Sequence, residues 1–254
     1  MSSGTTPGGV QGEEQTARWV RSMFDRVAPR YDLLNHLLSF QIDRYWRSRT
    51  VSRVVDILKR PEARVLDLCC GTGDLMLALE KRRGAAVFGS DFCHPMLTTA
   101  RQKAAKKHFS SQVFESDALH MPVRDGSLDL ITIAFGFRNL ASYRKGLVEL
   151  ARVLKPGGKL AILEFSQPPN RAFAAFYNFY STCILPAIGG AISGSSDAYT
   201  YLPESVKRFP GPSELAGQIG ESGFDQVTFE RMTFGIVALH IATRGKVRIE
   251  DRAS

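Results

Sequence analysis

Four cysteines in 254 residues are too few to suggest a disulfide scaffold. Cys69 and Cys70 are neighbours, and no cysteine joins a Cys-x-x-Cys or Cys/His ligand pattern, so no metal site is expected. Runs of five or six like charges are absent. The formal charge of +8 is dispersed, with mild clustering in "RQKAAKK" (Arg101–Lys107) and in the tail "RGKVRIEDR". Such a pattern reads as a solvated basic surface rather than a nucleic-acid tract. There are no internal repeats. The N-terminal "MSSGTTPGGVQGEE" is small, polar and Gly-rich, without the look of a secretory signal. Residues 1–15 therefore read as a disordered lead, and the chain as cytoplasmic. Nor is there a clean membrane span. "AFAAFYNFYSTCILPAIGGAIS" (Ala172–Ser193) nears the ~20 residues a span requires. Asn178, Ser181, Thr182, Pro186 and Gly189–Gly190 interrupt it.

What is present is a globular composition, 44% hydrophobic and 23% charged, long enough for one α/β domain with a full core. From Thr16 to Lys59 apolar residues recur at helical spacing, broken by Pro29, which predicts two or more short helices. "ARVLDLCC", "AAVFGSDF", "SQVFESDA", "LDLITIAFG" and "KLAILEF" read as strands. Helical stretches such as "DLMLALEKR", "PMLTTARQKAAKKH" and "YRKGLVELARVL" alternate with them. This alternation predicts an α/β, doubly wound, mainly parallel sheet. "DQVTFERMT" and "GIVALHIATR" then form a hairpin around Phe234–Gly235, giving seven strands with an antiparallel end. That ending is the pattern of class I methyltransferases. The expected organisation is a single domain over 16–244, with a helical flap (16–60), a helical lid insertion (169–210) and a flexible tail (245–254). The lid's aromatic density suggests the wall of an apolar pocket, although an ordinary buried helix would have a similar composition.

The turn after the first strand carries Gly71 and Gly73, but Met76 stands where a dinucleotide fingerprint has its third glycine. No Lys-Ser/Thr pair follows, so a P-loop is excluded. The informative residues are acidic. Asp67 lies in the first strand, Asp91 ends the second, and Asp117 closes the third. Ligands of open α/β sheets bind at these strand ends, where an acidic residue can accept from a ribose. A rim rich in carboxylates would repel pyrophosphate but suits a sulfonium, an ammonium and a ribose, the combination found in S-adenosylmethionine. Glycines let backbone approach such a ligand closely, and Thr72 and Asp74 can open the following helix. Each Asp alone could be a cap or turn residue; three together favour a site.

The motifs "VLDLCCGTGD", "GSDFCHPML", "ESDALHMPVRDGSLDLITIAFGFRNL", "RVLKPGGKLAILEFSQP", "YTYLPESVKRFPG" and "MTFGIVALH", with "VRSMFDRVAPRYDLLNHLLSF", resemble the menaquinone/ubiquinone C-methyltransferase family. The resemblance runs from about Val20 to Arg244 and is closer to the menaquinone branch. It implies methyl transfer from S-adenosylmethionine to the reduced naphthoquinone ring of demethylmenaquinone. It implies cofactor contacts at Thr72, Asp91 and the Asp117–Ala118 pair; with the strand-end and turn residues, the expected cofactor-binding set is Asp67, Gly71, Thr72, Gly73, Asp91, Phe92, Asp117, Ala118 and Ala134. Where the family often has Ser or Gly, Ala134 leaves only a backbone contact. The implied catalytic residues are Arg138 and Asn139 in "FGFRN", with Tyr31 and Asp32 (and Asn35) in a flap that closes over the ligands.

A quinone is electrophilic, so the reduced ring must be the nucleophile, and its hydroxyl must lose a proton. Arg138 is always protonated, which assigns it oxyanion stabilisation or water positioning rather than base catalysis. The competing reading pairs Arg138 with a carboxylate and makes Asn139 a turn cap. His240, inside the last strand, fits a core histidine better than a site. The implied partners are a polyprenyl naphthoquinol and, transiently, an anionic membrane surface on the inner face of the cell membrane. No nucleic acid is expected, and oligomeric state, a homodimer included, is left open. An RNA methyltransferase lacks support, because neither an N/D-P-P-Y/F motif nor a Pro-Cys nucleophile occurs in the expected places. Two rival functions stay open. One is methylation of a benzoquinol ring, alone or as a second substrate; the other is a non-catalytic subunit of a quinone-biosynthesis assembly.

Overall fold

The computed structural model describes residues 4–8, 10, 12–28, 32, 39–184 and 196–245. Pro29, Tyr31, Asn35 and most of the tail lie outside the described residues. The first helix, α1 (Glu13–Val27), has acidic residues in its first turn and buries Thr16, Val20, Met23 and Val27, one helical stripe. Then come α2 (Ile42–Arg53) and the single turn α3 (Val55–Leu58). Strand β1 (Val65–Leu68) leads through the Gly turn into α4 (Asp74–Arg83). The alternation continues with β2 (Phe88–Asp91), α5 (His94–Lys106), β3 (Gln112–Glu115), β4 (Leu128–Ala134), α6 (Tyr143–Val153) and β5 (Leu154–Phe165). The insertion supplies α7 (Arg171–Phe179), continued by a π-helical turn over Tyr180–Ile184, and α8 (Ser196–Arg208). Helix α9 (Pro212–Glu221) precedes β6 (Phe224–Met232) and β7 (Val237–Arg244).

The seven strands lie in the order β3-β2-β1-β4-β5-β7-β6. All pairs are parallel except β5–β7 and β6–β7, so the doubly wound sheet with an antiparallel end is as expected. Strand alternation sends Leu66 and Leu68 to one face, with Tyr143 and Leu147 of α6 and Ile219 of α9. Val65 joins the other face, with Trp46, Ile57, Met76 and Leu79. The chain leaves β1 toward β2 in one direction and returns to place β4 on the other side of β1. That reversal opens a crevice at the carboxyl ends of β1 and β4, the usual place for a ligand.

Within the stretch read as a disordered lead, Thr5 is buried. Its N–H donates to the Leu140 carbonyl at 2.9 Å, and its hydroxyl lies 2.8 Å from that of Tyr201.

Candidate functional site

Among the described residues, two cavities open at this end of the sheet. The first, about 440 Å³, lies over the ends of β1, β2 and β4 and the loop after β3, with α1 across it. Gly71 and Gly73 turn the chain after β1 with φ of 54° and 86°, values that favour glycine. Gly136 follows β4, and a Cβ on it would lie 2.4 Å from Cys69 Cβ. The two loops that frame the crevice thus touch only because one of them carries no side chain there.

Asp91 ends β2 with its carboxylate on the cavity wall. It accepts from the Gly71 N–H at 2.9 Å and the Cys93 N–H at 3.0 Å. Burial raises its pKa, while those amides oppose the shift. Phe92, Asp117, Ala118, Ala134 and Gly71 line the same cavity. Asp117 stands beyond the end of β3 rather than closing it, and accepts from the Leu119 N–H at 2.9 Å. Carboxylates beside backbone at the strand ends fit a ligand with a cationic end and a ribose diol.

Three residues of the expected cofactor set stand elsewhere. Asp67 is buried behind the crevice. The β1–β4 register places Thr132 beside it, and the Thr132 hydroxyl donates to Asp67 Oδ1 at 2.6 Å. Among the described residues its Oδ2 has no partner within hydrogen-bond distance, and burial pushes the carboxyl up to about 7. The Thr72 hydroxyl donates to Asp32 Oδ1 at 2.5 Å and accepts from Lys103 Nζ at 3.2 Å, so neither Thr72 nor Gly73 lines the cavity. Lys103 also bonds Asp32 Oδ2 at 2.9 Å and pairs with Asp74. Asp32, expected over the reacting groups, bonds at the Gly turn. Cys69 lines the cavity, whereas Cys70 does not. Burial raises both thiols well above their ordinary range, which disfavours the thiolate.

The second cavity, about 400 Å³, is apolar and lies between α1, α2, α7, α8 and the sheet end. Phe135 and Phe165 pack with ring centroids 4.6 Å apart. Trp46 lies 5.8 Å from Phe135, and its indole donates to Thr233 Oγ1 at 2.8 Å. Phe173 and Tyr177 bring α7 onto the cavity, as the aromatic insertion suggested. Burial pushes the Tyr177 phenol up to about 12, so it stays protonated at neutral pH. Phe24 and Phe135 belong to the walls of both cavities. Phe135 sits there with φ of 60°, a strained conformation for an aromatic residue at the junction.

After Phe135 a 3-10 turn, Phe137–Asn139, directs successive side chains apart. Arg138 lines the apolar cavity and Asn139 the polar one. Arg138 is 6% exposed, and its Nη1 donates to Glu164 Oε1 at 2.9 Å and to the Phe135 carbonyl at 2.5 Å. Its Nε donates to Ser205 Oγ on α8 at 3.3 Å, and its guanidinium stands 5.3 Å above the Phe165 ring. The Asn139 carbonyl oxygen accepts from the Tyr201 hydroxyl at 3.1 Å. Arg138 is thus both paired with a carboxylate and part of the cavity wall; the two readings of it are compatible. His240 is buried, with Nε2 2.9 Å from the Pro212 carbonyl, and lines neither cavity. Among the described residues no cluster of His, Cys, Asp and Glu could hold a metal.

The residues missed from sequence are Glu164, Tyr201, Ser205, Trp46 and Lys103. Glu164 alone left a signal, as the single charge within the apolar run "LAILEF".

A sequence model of the ubiE/COQ5 methyltransferase family matches residues 10–244. A Thermus thermophilus protein named demethylmenaquinone methyltransferase is 51% identical over 223 residues, covering 87% of this chain and 100% of that one. A Syntrophotalea carbinolica protein named ubiquinone/menaquinone biosynthesis C-methyltransferase UbiE is 42% identical, covering 88% and 93%. The solved structure of a Thermotoga maritima SAM-dependent methyltransferase has a TM-score of 0.60 at 17% identity, covering 89% of this chain and 99% of that one. It shares the fold.

Proposed function

The chain belongs to the ubiE/COQ5 methyltransferase family, and from that premise we propose that it methylates the reduced naphthoquinone ring of demethylmenaquinone to give menaquinone. It is an S-adenosylmethionine-dependent methyltransferase. The observation that carries the ring assignment is the meeting of a carboxylate-lined cavity and an aromatic one at Phe24 and Phe135, with Arg138 on one side and Asn139 on the other.

In the polar cavity Asp91 and Asp117 would hold the cofactor's diol and cationic end, with the backbone around Gly71, Ala118 and Ala134 alongside. Bound there, S-adenosylmethionine supplies an electrophilic methyl group on a cationic sulfonium. The chain's own residues have to make the ring a nucleophile. A phenol ordinarily holds its proton to about pH 10. A fixed guanidinium in an apolar cavity favours the phenolate, because low dielectric strengthens the attraction and the cation needs no reorganisation. Arg138 is fixed from three sides, by Glu164, the Phe135 carbonyl and Ser205. Trp46, Phe165 and Tyr177 exclude water from the ring, and Asn139, held by Tyr201, borders the junction.

The exposed Phe40 and Phe234 (72% and 79% exposed) serve as contacts with a membrane surface from which a polyprenyl substrate enters. Phe40 stands 6.2 Å from Tyr180 and Phe234 5.1 Å from Phe173, both residues of the cavity wall. Among the described residues no helix is long and apolar enough to cross a membrane.

The relative named for both quinones supports a second reading, in which a benzoquinol ring is also accepted. The deciding experiment supplies purified protein with labelled S-adenosylmethionine and either reduced demethylmenaquinone or the corresponding benzoquinol. Label in the naphthoquinol product alone supports the first reading, label in both supports the second, and label in neither overturns both.

A further inference from the structure

Glu164 is 1% exposed and does not line either cavity, yet three donors converge on its carboxylate. They are Arg138 Nη1 at 2.9 Å, the Arg138 N–H at 3.2 Å and the Phe165 N–H at 2.9 Å. A charge this deep in a strand is costly unless it is paired, and its only charged partner in these contacts is Arg138. Seen from the apolar cavity, Glu164 stands behind the guanidinium and offsets part of its charge.

The other charges on that cavity are compensated or wet. Among the described residues, its charged lining side chains are Asp43, Arg47, Arg138 and Lys207. Asp43 and Arg47 pair with each other, and Arg47 also lies 3.9 Å from Asp74. Lys207 is on the exposed side of α8, where water screens it. A ring that carries its own carboxylate would lose hydration on entry and meet only a partly compensated cation in return, too little to repay the loss. A ring with neutral hydroxyls enters without that penalty, and the remaining field of the guanidinium acts only on the charge that develops when a proton leaves.

We infer that Glu164 is a positioning and specificity-determining residue: through Arg138 it sets the charge of the cavity, which therefore selects a neutral hydroxylated ring over the same ring bearing a carboxylate. The inference rests on the reading that the ring occupies the apolar cavity.

The test is calorimetric titration of the full chain with 1-naphthol and with 1-hydroxy-2-naphthoate, in the presence of S-adenosylhomocysteine. The ratio of the two dissociation constants is read within each variant, so it does not depend on the fraction of protein that is folded. Wild type is expected to favour 1-naphthol by about tenfold or more, and Glu164→Gln to move the ratio toward the carboxylate by about tenfold or more. Adding Arg138→Gln to that variant returns carboxylate binding to its weak level. A ratio unchanged in Glu164→Gln overturns the role of Glu164 while leaving the ring site intact. Failure of wild type to bind 1-naphthol overturns the ring site itself, and the inference with it. Should Glu164→Gln not fold, Glu164→Asp decides. It keeps the charge but shortens the reach, so the wild-type ratio with reduced turnover supports the inference. A shifted ratio or undiminished turnover overturns it.

Discussion

The two cavities that meet at Phe135 are built from different parts of the chain and by different physics. The polar one is made by strand ends and the turns that follow them, so its shape comes from sheet hydrogen bonding and a few backbone conformations that favour glycine. The apolar one is made by helices before and after the sheet, and its shape comes from side-chain packing between segments far apart in sequence. The first is rigid at short range, because Asp91 is fixed by an amide of its own turn and one of the turn after the neighbouring strand. The second depends on long-range ties such as Arg138–Ser205 and Tyr201–Asn139. The turn after β4 belongs to both, with Arg138 on the wall of one and Asn139 on the wall of the other.

If the cavities divide the work in this way, substitutions in them should separate cleanly. The largest effect is expected from Arg138→Met, which should lower kcat/KM by about 10³-fold. The same variant should leave the dissociation constant for S-adenosylhomocysteine within about twofold of wild type, since direct hydrogen bonds to the cofactor are not removed. Asp91→Asn should do the opposite, weakening S-adenosylhomocysteine by about 10²-fold through loss of a charged acceptor. Its effect on 1-naphthol binding should stay within about twofold, sites with no shared partner being close to additive. If either variant damaged both affinities equally, the division would fail.

Asp67 sharpens the comparison from behind the polar cavity. Its folded pKa of about 7 lies above the unfolded value, so between these pH values the folded form holds more protons. Stability then falls as pH rises from about 4 toward 7, and levels off above that window. Asp67→Asn should flatten this dependence, a difference in Tm on the order of 5 °C between the ends of the window, read by calorimetry. A wild-type Tm independent of pH over that range would show that Asp67 does not hold its proton there. The smallest effect belongs to the outer surface. Phe234→Ser should reduce binding to anionic vesicles by about fivefold, the cost of exposing part of one aromatic side chain. Turnover of a short-chain quinol should not change, since Phe234 is outside the cavity wall. Equal vesicle binding by the two proteins would discard this contact.

What could be read in the sequence follows from range. Gly71, Asp91 and Asp117 were legible because strand, turn and helix are local patterns, and because ligands of such sheets bind at strand ends. Thr72 and Asp67 were legible as neighbours of the turn but not in their orientation, which depends on Asp32, Lys103 and Thr132. Arg138 was legible as a candidate and its rival reading was legible too. Nothing local could show that a guanidinium can pair with Glu164 and still form part of a cavity wall. Tyr201 and Ser205 lie within a motif of the resemblance, but their place at that turn was not legible, since only the packing of α8 brings them there.

By itself the sequence determined the alternating elements, the hairpin that ends the sheet, the acidic strand ends and the membership of a family with a known class of chemistry. These are encoded by hydrophobic period, glycine position and motif, all of which are short-range. The tertiary structure decided which carboxylates line the polar cavity and which is buried behind it, which aromatics form one cavity, and where the charge of Arg138 is compensated. Those outcomes depend on contacts between residues tens to hundreds of positions apart, and burial and compensation of charge come into being only when such residues pack together.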